Sequence, residues 1–246
     1  MSGQAEHGDS SAPTGLGMSG AAPWSWKPAR FVAQRLLLRP LVWSVTSVEV
    51  TGHEHLRELD GPFVVAANHS SHLDAPLVLC ALPWRLGVRT AVGAAADYFF
   101  DARWRAAVTG VVFNAFPVDR QGGRARPGVA AELLDEGIPL LVFPEGTRSK
   151  DGQMHRFKPG AAALAVSRDV PVLPVGLRGA YDAMPRGRNW PVRGRPRIHV
   201  AFGAPLQPEP GESALALTAR LSEVVRSLLE PPEPKTQRDP RGSRAS

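Results

Sequence analysis

The sequence predicts an α/β fold, a single domain with a mixed, largely parallel sheet flanked by helices. Three observations support this prediction. Segments with strand character alternate with segments with helical character along most of the chain. Hydrophobic residues make up 43% of the 246 residues, which is enough to fill a substantial core. Several short apolar segments end abruptly in polar residues, as buried strands do.

The composition divides the chain into four parts. Residues 1–23 are rich in Gly, Ser, Ala and Pro, and we expect a disordered leader without the features of a signal peptide. An amphipathic helix is predicted over residues 24–46, a folded domain over 47–230 and a disordered basic tail over 231–246. No segment has about 18 consecutive apolar residues, so we expect no transmembrane helix.

The helix predicted over residues 24–46 is basic and rich in tryptophan. Its cationic residues are Lys27, Arg30, Arg35 and Arg39, and it contains no acidic residue. Tryptophan prefers the depth of lipid headgroups and arginine attracts anionic lipid, so we expect this helix to lie in a membrane interface. The alternative is an ordinary amphipathic helix that packs against the domain.

Each element of the folded domain is predicted from a short pattern. The strands are the apolar or alternating segments VEVTG, PFVVAAN, RTAVGAAA, VVFNAFPVDR, PLLVFPEG, VPVLPVGLRG and PRIHVAFGAP. The helices are delimited by breakers and caps. LDAPLVLCALP ends at Pro83 and ARPGVAAELLDEG at Gly137, whereas PGAAALAVSRD starts with Pro159 and SALALTARLSEVVRSLLE with the N-cap Ser213. Cys80 is the only cysteine and is expected in the core.

The net charge of +6 includes a second basic block. Six arginines lie between Arg178 and Arg197, against Asp182 alone, and Trp190 lies among them. Such a block indicates an anionic partner, either lipid headgroups or a phosphorylated substrate, or else a set of solvated arginines. We do not expect nucleic acid as a partner, because the aromatic residues do not alternate with the basic ones as a stacking platform requires.

The segment AANHSSHLDAP follows a predicted buried strand and carries His69 and Asp74, five positions apart. On a regular helix these side chains would point about 140° apart, so they can pair only if the chain turns sharply into a helix near Asp74. NHSS is loop-forming, and a carboxylate in the first helical turn lies near the positive end of the dipole. A His–Asp pair fixes the ring tautomer and leaves the other nitrogen free as a base.

No protein nucleophile accompanies this pair. The chain has no G-x-S-x-G elbow, so we expect the base to act on a substrate alcohol. The competing interpretation is a zinc site formed by His69, His72 and Asp74. Their spacing matches no familiar zinc motif, and we therefore expect no metal.

Two further predicted strands end in residues that suit an anion. FPEGTRSKDG predicts a tight turn in which Arg148, the Thr147 hydroxyl and backbone N–H groups form an anion receptor. Arg120 ends another strand, and Lys158 precedes a predicted helix. Because ligands of such sheets bind at the carboxyl ends of strands, we expect these groups to share one cleft.

Together these residues resemble the glycerolipid acyltransferase family typified by 1-acylglycerol-3-phosphate acyltransferase. The N-H-x-x-x-x-D motif of that family stands at residues 68–74 and the F-P-E-G-T-R-S motif at residues 143–149. An apolar run ending in Arg matches FNAFPVDR, and the V-P-x-x-P-V run stands at residues 170–175. The four motifs follow one another in the order of the family.

The resemblance implies a role for each residue. His69 would deprotonate the acceptor hydroxyl and Asp74 would orient His69, whereas Lys158 is expected as a further anion contact from its position before a helix alone. The phosphate end of the substrate would be bound by Arg120, Glu145, Gly146, Thr147 and Arg148. The cations would neutralise the phosphate, and Glu145 would bind a hydroxyl or orient Arg148. The acyl-donor pocket would be shaped by Pro171 and Pro174.

The resemblance also implies an activity, the transfer of a fatty acyl group from acyl-CoA or acyl carrier protein to a lysophospholipid. The expected reaction converts 1-acylglycerol 3-phosphate to phosphatidate in phospholipid biosynthesis, with the acyl donor as cosubstrate and no bound cofactor. We expect a peripheral protein on the anionic cytoplasmic face of the membrane. The alternatives are the same chemistry on another lysolipid or glycolipid, a metal-dependent lipid esterase, and a catalytically inactive lipid-binding domain.

Overall fold

The computed structural model describes residues 26–95, 112–118 and 128–231. Its strands form one seven-stranded sheet in the order β1-β7-β6-β2-β5-β3-β4. All neighbouring strands are parallel except β6 and β7, which run antiparallel. The prediction of a mixed, largely parallel sheet is therefore confirmed. The strands are β1 (Ser47–Thr51), β2 (Val64–Ala67), β3 (Ala91–Ala95), β4 (Phe116–Val118), β5 (Leu140–Val142), β6 (Val172–Arg178) and β7 (Arg197–Phe202).

Helices cover both faces of this sheet. Helix α1 is continuous through an α-helical, a π-helical and a second α-helical segment, Lys27–Phe31, Val32–Leu38 and Arg39–Val45. The other helices are α2 (Asp74–Ala81), α3 (Trp84–Gly87), α4 (Val129–Asp135), α5 (Gly160–Arg168), α6 (Ala180–Ala183) and α7 (Ala214–Leu229), and a 3-10 turn spans His53–Leu56. One core lies between the sheet and α2 with α6, and the other between the sheet and α4, α5 and α7.

Most predicted elements are present. Ser213 caps α7, since its Oγ accepts a hydrogen bond from the Ala216 N–H at 3.1 Å. Cys80 is buried in α2, and this burial raises the pKa of its thiol to about 11. Strand β4 begins at Phe116, five residues into the predicted segment, and the two ends of that segment lie outside the described residues. The predicted leader and, beyond Pro231, the predicted tail lie outside the described residues.

Five of the described strands end at the same edge of the sheet. The parallel strands β6, β2, β5, β3 and β4 all end there, and we call it the carboxyl edge. Because β7 runs antiparallel to β6, β7 begins at this edge, and β1, which is parallel to β7, begins there as well. Residues that follow β2, β5 or β6 are therefore brought together with the end of α1, which leads directly into β1.

Helix α1 turns polar side chains toward the domain. Arg30 and Gln34 are buried. The guanidinium of Arg30 donates to the Val88 carbonyl and to Oδ1 of Asn114, both at 2.9 Å, and the Gln34 amide donates to the Val112 carbonyl at 2.8 Å. Burial lowers the pKa of Arg30 to about 10. These contacts fasten α1 to the segment that precedes β4.

Arg35 caps the end of α2. Its guanidinium donates to the carbonyls of Leu79, Cys80 and Leu82 at 3.4, 2.8 and 2.6 Å. The last carbonyls of a helix lack helical partners and carry the negative end of its dipole, so they are good acceptors for a cation. The expectation that the arginines of α1 face anionic lipid is therefore wrong for Arg30 and Arg35.

The outward face of α1 is apolar. Large exposed side chains on this face and on the neighbouring α3 are Trp26, Phe31, Val32, Leu36, Leu37, Leu41 and Trp84. Trp84 packs edge-on against Phe31 with ring centroids 5.7 Å apart. Within the described ranges, no helix is both long enough and apolar enough to cross a membrane.

Candidate active site

The chain leaves β2 through the buried side chain of Asn68. Its Nδ2 donates to the Leu177 carbonyl at 2.9 Å, and its Oδ1 accepts a hydrogen bond from the Leu177 N–H at 2.7 Å. One side-chain amide thus supplies the donor and the acceptor of a peptide group and prolongs the pairing of β2 with β6. The next residue, His69, is held immediately beyond the carboxyl edge.

His69 and Asp74 meet across a tight turn. Nδ1 of His69 lies 2.9 Å from Oδ2 of Asp74, and the same oxygen accepts the N–H groups of Ser70 and Ser71 at 2.6 and 2.8 Å. Asp74 is fully buried in the first turn of α2, whereas the His69 side chain is 15% exposed. Since Nδ1–H is donated to Asp74, Nε2 of His69 is the nitrogen left to act as a base.

The turn after β5 holds both the ring and the backbone of His69. Phe143 stacks on the imidazole, with centroids 4.0 Å apart and the planes inclined by 18°. Oε1 of Glu145 accepts the His69 N–H at 2.7 Å, and the His69 carbonyl accepts the Ser149 N–H at 2.7 Å. No local sequence pattern predicts the contacts of Phe143 and Ser149 with His69, because these segments lie far apart in the chain.

Glu145 does not lie where a phosphate contact would. It is 5% exposed and its second oxygen, Oε2, accepts the His155 N–H at 3.0 Å. A buried carboxylate repels an anionic group, and the 5% exposure of Glu145 leaves little of its surface for a substrate hydroxyl. The contacts that the structure shows for Glu145 position the His69 backbone, and its predicted substrate contact stays a prediction. Burial raises the pKa of Glu145, and the two backbone donors oppose this shift.

The rest of this turn forms a rim with two cationic side chains. Gly146 has a φ of +75°, and Nζ of Lys158 is 2.9 Å from the position that a Cβ on Gly146 would take. Thr147 is exposed and Arg148 is half-buried. Arg120, the third predicted cation, lies outside the described residues. Among the predicted anion contacts, the structure thus gathers Gly146, Thr147, Arg148 and Lys158 beside the carboxyl edge.

His72 is half-buried near the pair, and it does not complete a metal site. Burial lowers the pKa of His72, and the charges of Arg148 and His69 lower it further. In the part of the chain that the structure describes, no group of three or more His, Cys, Asp or Glu residues is placed to hold a metal ion. Nδ1 of His69 and Oδ2 of Asp74 instead bind each other.

Pro171 and Pro174 lie away from the pair. Pro171 precedes β6, at the edge opposite the carboxyl edge, and its carbonyl accepts the Val64 N–H at 3.0 Å. Pro174 is buried in β6 on the face covered by α7, where its ring lies against Gly203. Both prolines belong to the packing of the sheet, so the structure does not support the prediction that they shape the acyl-donor pocket.

The comparison with known proteins decides the family. The family model described as Acyltransferase matches residues 47–178, which is more than half of the chain. The chain belongs to this acyltransferase family. The match includes β1 to β6, the His69–Asp74 pair and the turn after β5, and it ends before the segment that leads into β7.

Two curated relatives and one solved structure illustrate the similarity. The chain is 34% identical over 188 residues to a 1-acyl-sn-glycerol-3-phosphate acyltransferase of Chlamydomonas reinhardtii, a match covering 75% of this chain and 53% of the relative. It is 31% identical over 185 residues to the human 1-acyl-sn-glycerol-3-phosphate acyltransferase alpha, with coverages of 74% and 63%. The chain therefore spans about half the length of the first relative and less than two-thirds of the second.

The solved structure is the crystal structure of the 1-acyl-sn-glycerophosphate acyltransferase PlsC from Thermotoga maritima. It matches with a TM-score of 0.67 and 28% sequence identity, and the match covers 82% of this chain and 79% of that chain. The single α/β domain described above is therefore shared with an acyltransferase whose structure was determined by experiment.

Proposed function

We propose that this acyltransferase transfers a fatty acyl group from a thioester to the free hydroxyl of 1-acylglycerol 3-phosphate, which yields phosphatidate. The observation that carries the proposal is the 2.9 Å contact between His69 and Asp74, which leaves Nε2 as a base beside a cationic rim. The names of the relatives and of the solved structure support this acceptor. The donor is the thioester of coenzyme A or of acyl carrier protein.

In the proposed reaction Nε2 of His69 first accepts a proton and later donates it. Nε2 of His69 accepts the proton of the acceptor hydroxyl while its oxygen attacks the thioester carbonyl, so that a C–O bond forms. Collapse of the tetrahedral intermediate breaks the C–S bond, and the departing thiolate takes the proton back from Nε2. Asp74 accepts the hydrogen bond from Nδ1–H and keeps the ring oriented during both proton transfers. No protein nucleophile is required.

The phosphate of the acceptor is proposed to bind at the rim beside the pair. The guanidinium of Arg148 offers a planar set of donors and Lys158 a compact point charge, and the two together suit a phosphate. Gly146 and Thr147 add a backbone N–H group and a hydroxyl to the same turn. Arg120 is proposed as a third cation on the strength of its motif.

The protein is also proposed to bind the cytoplasmic face of the membrane as a peripheral protein, with α1 in the interface. Leu36 and Leu37, on the outward face of α1, are 61% and 65% exposed, and the tryptophans Trp26 and Trp84 flank the same surface. Exposed apolar patches with aromatic residues are typical of surfaces that enter lipid. A lipid acceptor and a lipid product would then stay in the bilayer during turnover.

Thiol release from acyl-CoA tests the function. We expect release to require lysophosphatidate and to stop in the His69→Ala variant. A panel of other lysophospholipids and a glycolipid alcohol, compared by kcat/KM, tests the acceptor, and acyl carrier protein loaded with the same chain tests the donor. Wild-type rates in His69→Ala would contradict the mechanism. Acyl hydrolysis without any acceptor, lost on chelation, would indicate an esterase instead.

A further inference from the structure

A second charged surface lies at the carboxyl edge and has no part in the mechanism above. Residues 185–197, which we call the basic loop, join α6 to β7. No acidic residue occurs between Asp182 and Glu209. The arginines of the basic loop are all exposed, and none makes an ion pair with another described residue. They are Arg186, Arg188, Arg193, Arg195 and Arg197.

Both ends of the basic loop lie close to the active site. The Met184 carbonyl, just before the loop, accepts a hydrogen bond from Oγ of Ser71 at 2.8 Å, and Ser71 belongs to the turn between His69 and Asp74. The loop ends at the first residue of β7, which begins at the carboxyl edge because β7 is antiparallel to β6. The positive charge is therefore on the side of the molecule from which a substrate reaches His69.

Arg195 connects the basic loop to the end of α1. Its guanidinium donates to the Trp43 carbonyl at 3.0 Å and to the Thr46 carbonyl at 3.3 Å. The loop is thus adjacent to the helix whose outward face is apolar. Arg30 and Arg35 face the domain and Arg39 is exposed on α1, so the basic loop adds five exposed arginines to the positive charge beside this helix.

Trp190 favours a lipid surface as the partner of the basic loop. It is 56% exposed in the middle of the loop, and its carbonyl accepts a hydrogen bond from Nε of Arg188 at 3.4 Å. Tryptophan is enriched at headgroup depth, and arginines near an anionic bilayer are attracted to its surface potential. A soluble acidic protein would match the charge but would give no reason for the adjoining apolar face of α1.

We propose that the basic loop binds the headgroups of anionic phospholipids. The protein would then dock on an anionic bilayer through two surfaces, the apolar face of α1 and the basic loop. This inference rests on the membrane association proposed above, and it adds the class of lipid and the residues that recognise it. Docking in this way turns the carboxyl edge, with His69 and Asp74, toward the bilayer that contains the acceptor.

Vesicle flotation with charge variants tests the proposal. The triple variant Arg186→Gln, Arg188→Gln and Arg193→Gln keeps Arg195, whose contacts hold the loop to α1. Each arginine near an anionic surface strengthens binding by roughly fivefold. The variant should therefore bind vesicles of phosphatidylcholine mixed with phosphatidylglycerol at least about tenfold more weakly, and added salt should weaken wild-type binding in the same way. Binding to pure phosphatidylcholine should not change.

A matched control removes the same charge elsewhere. Arg57→Gln, Arg168→Gln and Arg220→Gln alter arginines in the turn after β1, at the end of α5 and on α7, and we expect less than a twofold change on any vesicle. Circular dichroism and thermal unfolding confirm that both proteins are folded. Flotation is measured without an acyl donor, so its outcome does not depend on whether the protein transfers acyl groups.

Two outcomes would overturn the proposal. In one, the basic-loop variant and the control bind mixed vesicles equally well. In the other, the basic-loop variant loses affinity for acyl carrier protein while its binding to vesicles is unchanged, which would make the loop a docking surface for an acidic protein. The insertion of α1 is tested separately with a Leu36→Ser, Leu37→Ser variant. If this variant binds neutral vesicles as well as the wild type does, α1 does not insert.

Discussion

Two buried carboxylates hold His69, and they reach it over different distances along the chain. Asp74 binds the imidazole from five positions away and also accepts two N–H groups of its own turn. Glu145 binds the His69 N–H from 76 positions away and joins it to His155. Asp74 therefore sets the protonation and direction of the ring, whereas Glu145 sets the position of the backbone that carries the ring.

The difference separates a catalytic contact from a positioning contact. Asp74 touches the ring of the proposed base and selects the tautomer that leaves Nε2 free. Glu145 touches no reacting atom, and its effect on catalysis passes through the location of His69. Variants of the two carboxylates should therefore differ in kind as well as in size.

The largest effect is expected for the Asp74→Asn variant. General-base catalysis contributes about 10²–10⁴-fold, and an amide at position 74 would favour the wrong ring tautomer, so kcat for thiol release should fall by about that factor. His69→Ala should lose a similar amount, and the double variant little more, because the two side chains act as one unit. Additive losses in the double variant would show that Asp74 acts independently of His69.

A smaller effect, with a different signature, is expected for Glu145→Gln. The amide can accept only one of the two backbone hydrogen bonds, and we expect the free energy of unfolding to fall by about 1–3 kcal/mol. Displacement of His69 should lower kcat by about ten- to a hundredfold. KM for lysophosphatidate should stay nearly unchanged, because both carboxylate oxygens of Glu145 bond to backbone N–H groups of the protein. A rise in KM with kcat unchanged would contradict the positioning role.

The rim beside Glu145 is tested by Gly146→Ala. The positive φ costs about 1–2 kcal/mol for alanine, and the new Cβ would displace Nζ of Lys158 from 2.9 Å. We expect KM for lysophosphatidate to rise by about fivefold, the contribution of roughly one charged hydrogen bond. Gly61→Ala is the matched control, since Gly61 has a φ of +90° and no atom within 4 Å of a new Cβ. It should lose similar stability and leave KM unchanged.

The smallest effect concerns pH and His72, which lies in the turn that Asp74 organises. Its folded pKa is lowered, first by burial and then by Arg148 and His69. The unfolded chain therefore binds a proton near pH 6.5 that the folded chain does not, so the free energy of unfolding should fall as the pH drops below that value. Urea denaturation from pH 7 to 5 should show a flatter decline for His72→Asn. An unchanged slope would mean that His72 is not desolvated.

The contact of Asp74 with His69 was predictable from the sequence, whereas the contact of Glu145 was not. The five-residue step from His69 to Asp74 predicts a turn into a helix, and the turn exists because one carboxylate oxygen collects three donors within that step. No spacing rule connects Glu145 to His69, since parallel strands β2 and β5 bring them together through the sheet. The motif therefore identified Glu145, and only the fold shows that it faces a backbone N–H group.

Helix α1 shows a similar limit. Its composition predicts an amphipathic helix near lipid, and the helix is present, but composition does not tell which face meets the domain. The carbonyls at the end of α2, which lack helical partners, and the acceptors near β4 bind Arg30, Gln34 and Arg35 on the domain side of α1. Arg30 and Arg35, which were predicted to face anionic lipid, donate instead to backbone carbonyls of the protein.

The amide of Asn68 has a consequence for turnover. Because this side chain continues the hydrogen bonding of the sheet, the residue that follows it inherits the rigidity of a central strand although it belongs to a loop. The conformational entropy of the His69 side chain is therefore lost when the chain folds. Binding of each substrate molecule does not have to order this side chain again. The side-chain amide of Asn68, the first residue of the motif, takes the place of a backbone peptide group in the sheet. The loop that carries His69 is therefore held at its start as firmly as the strand before it.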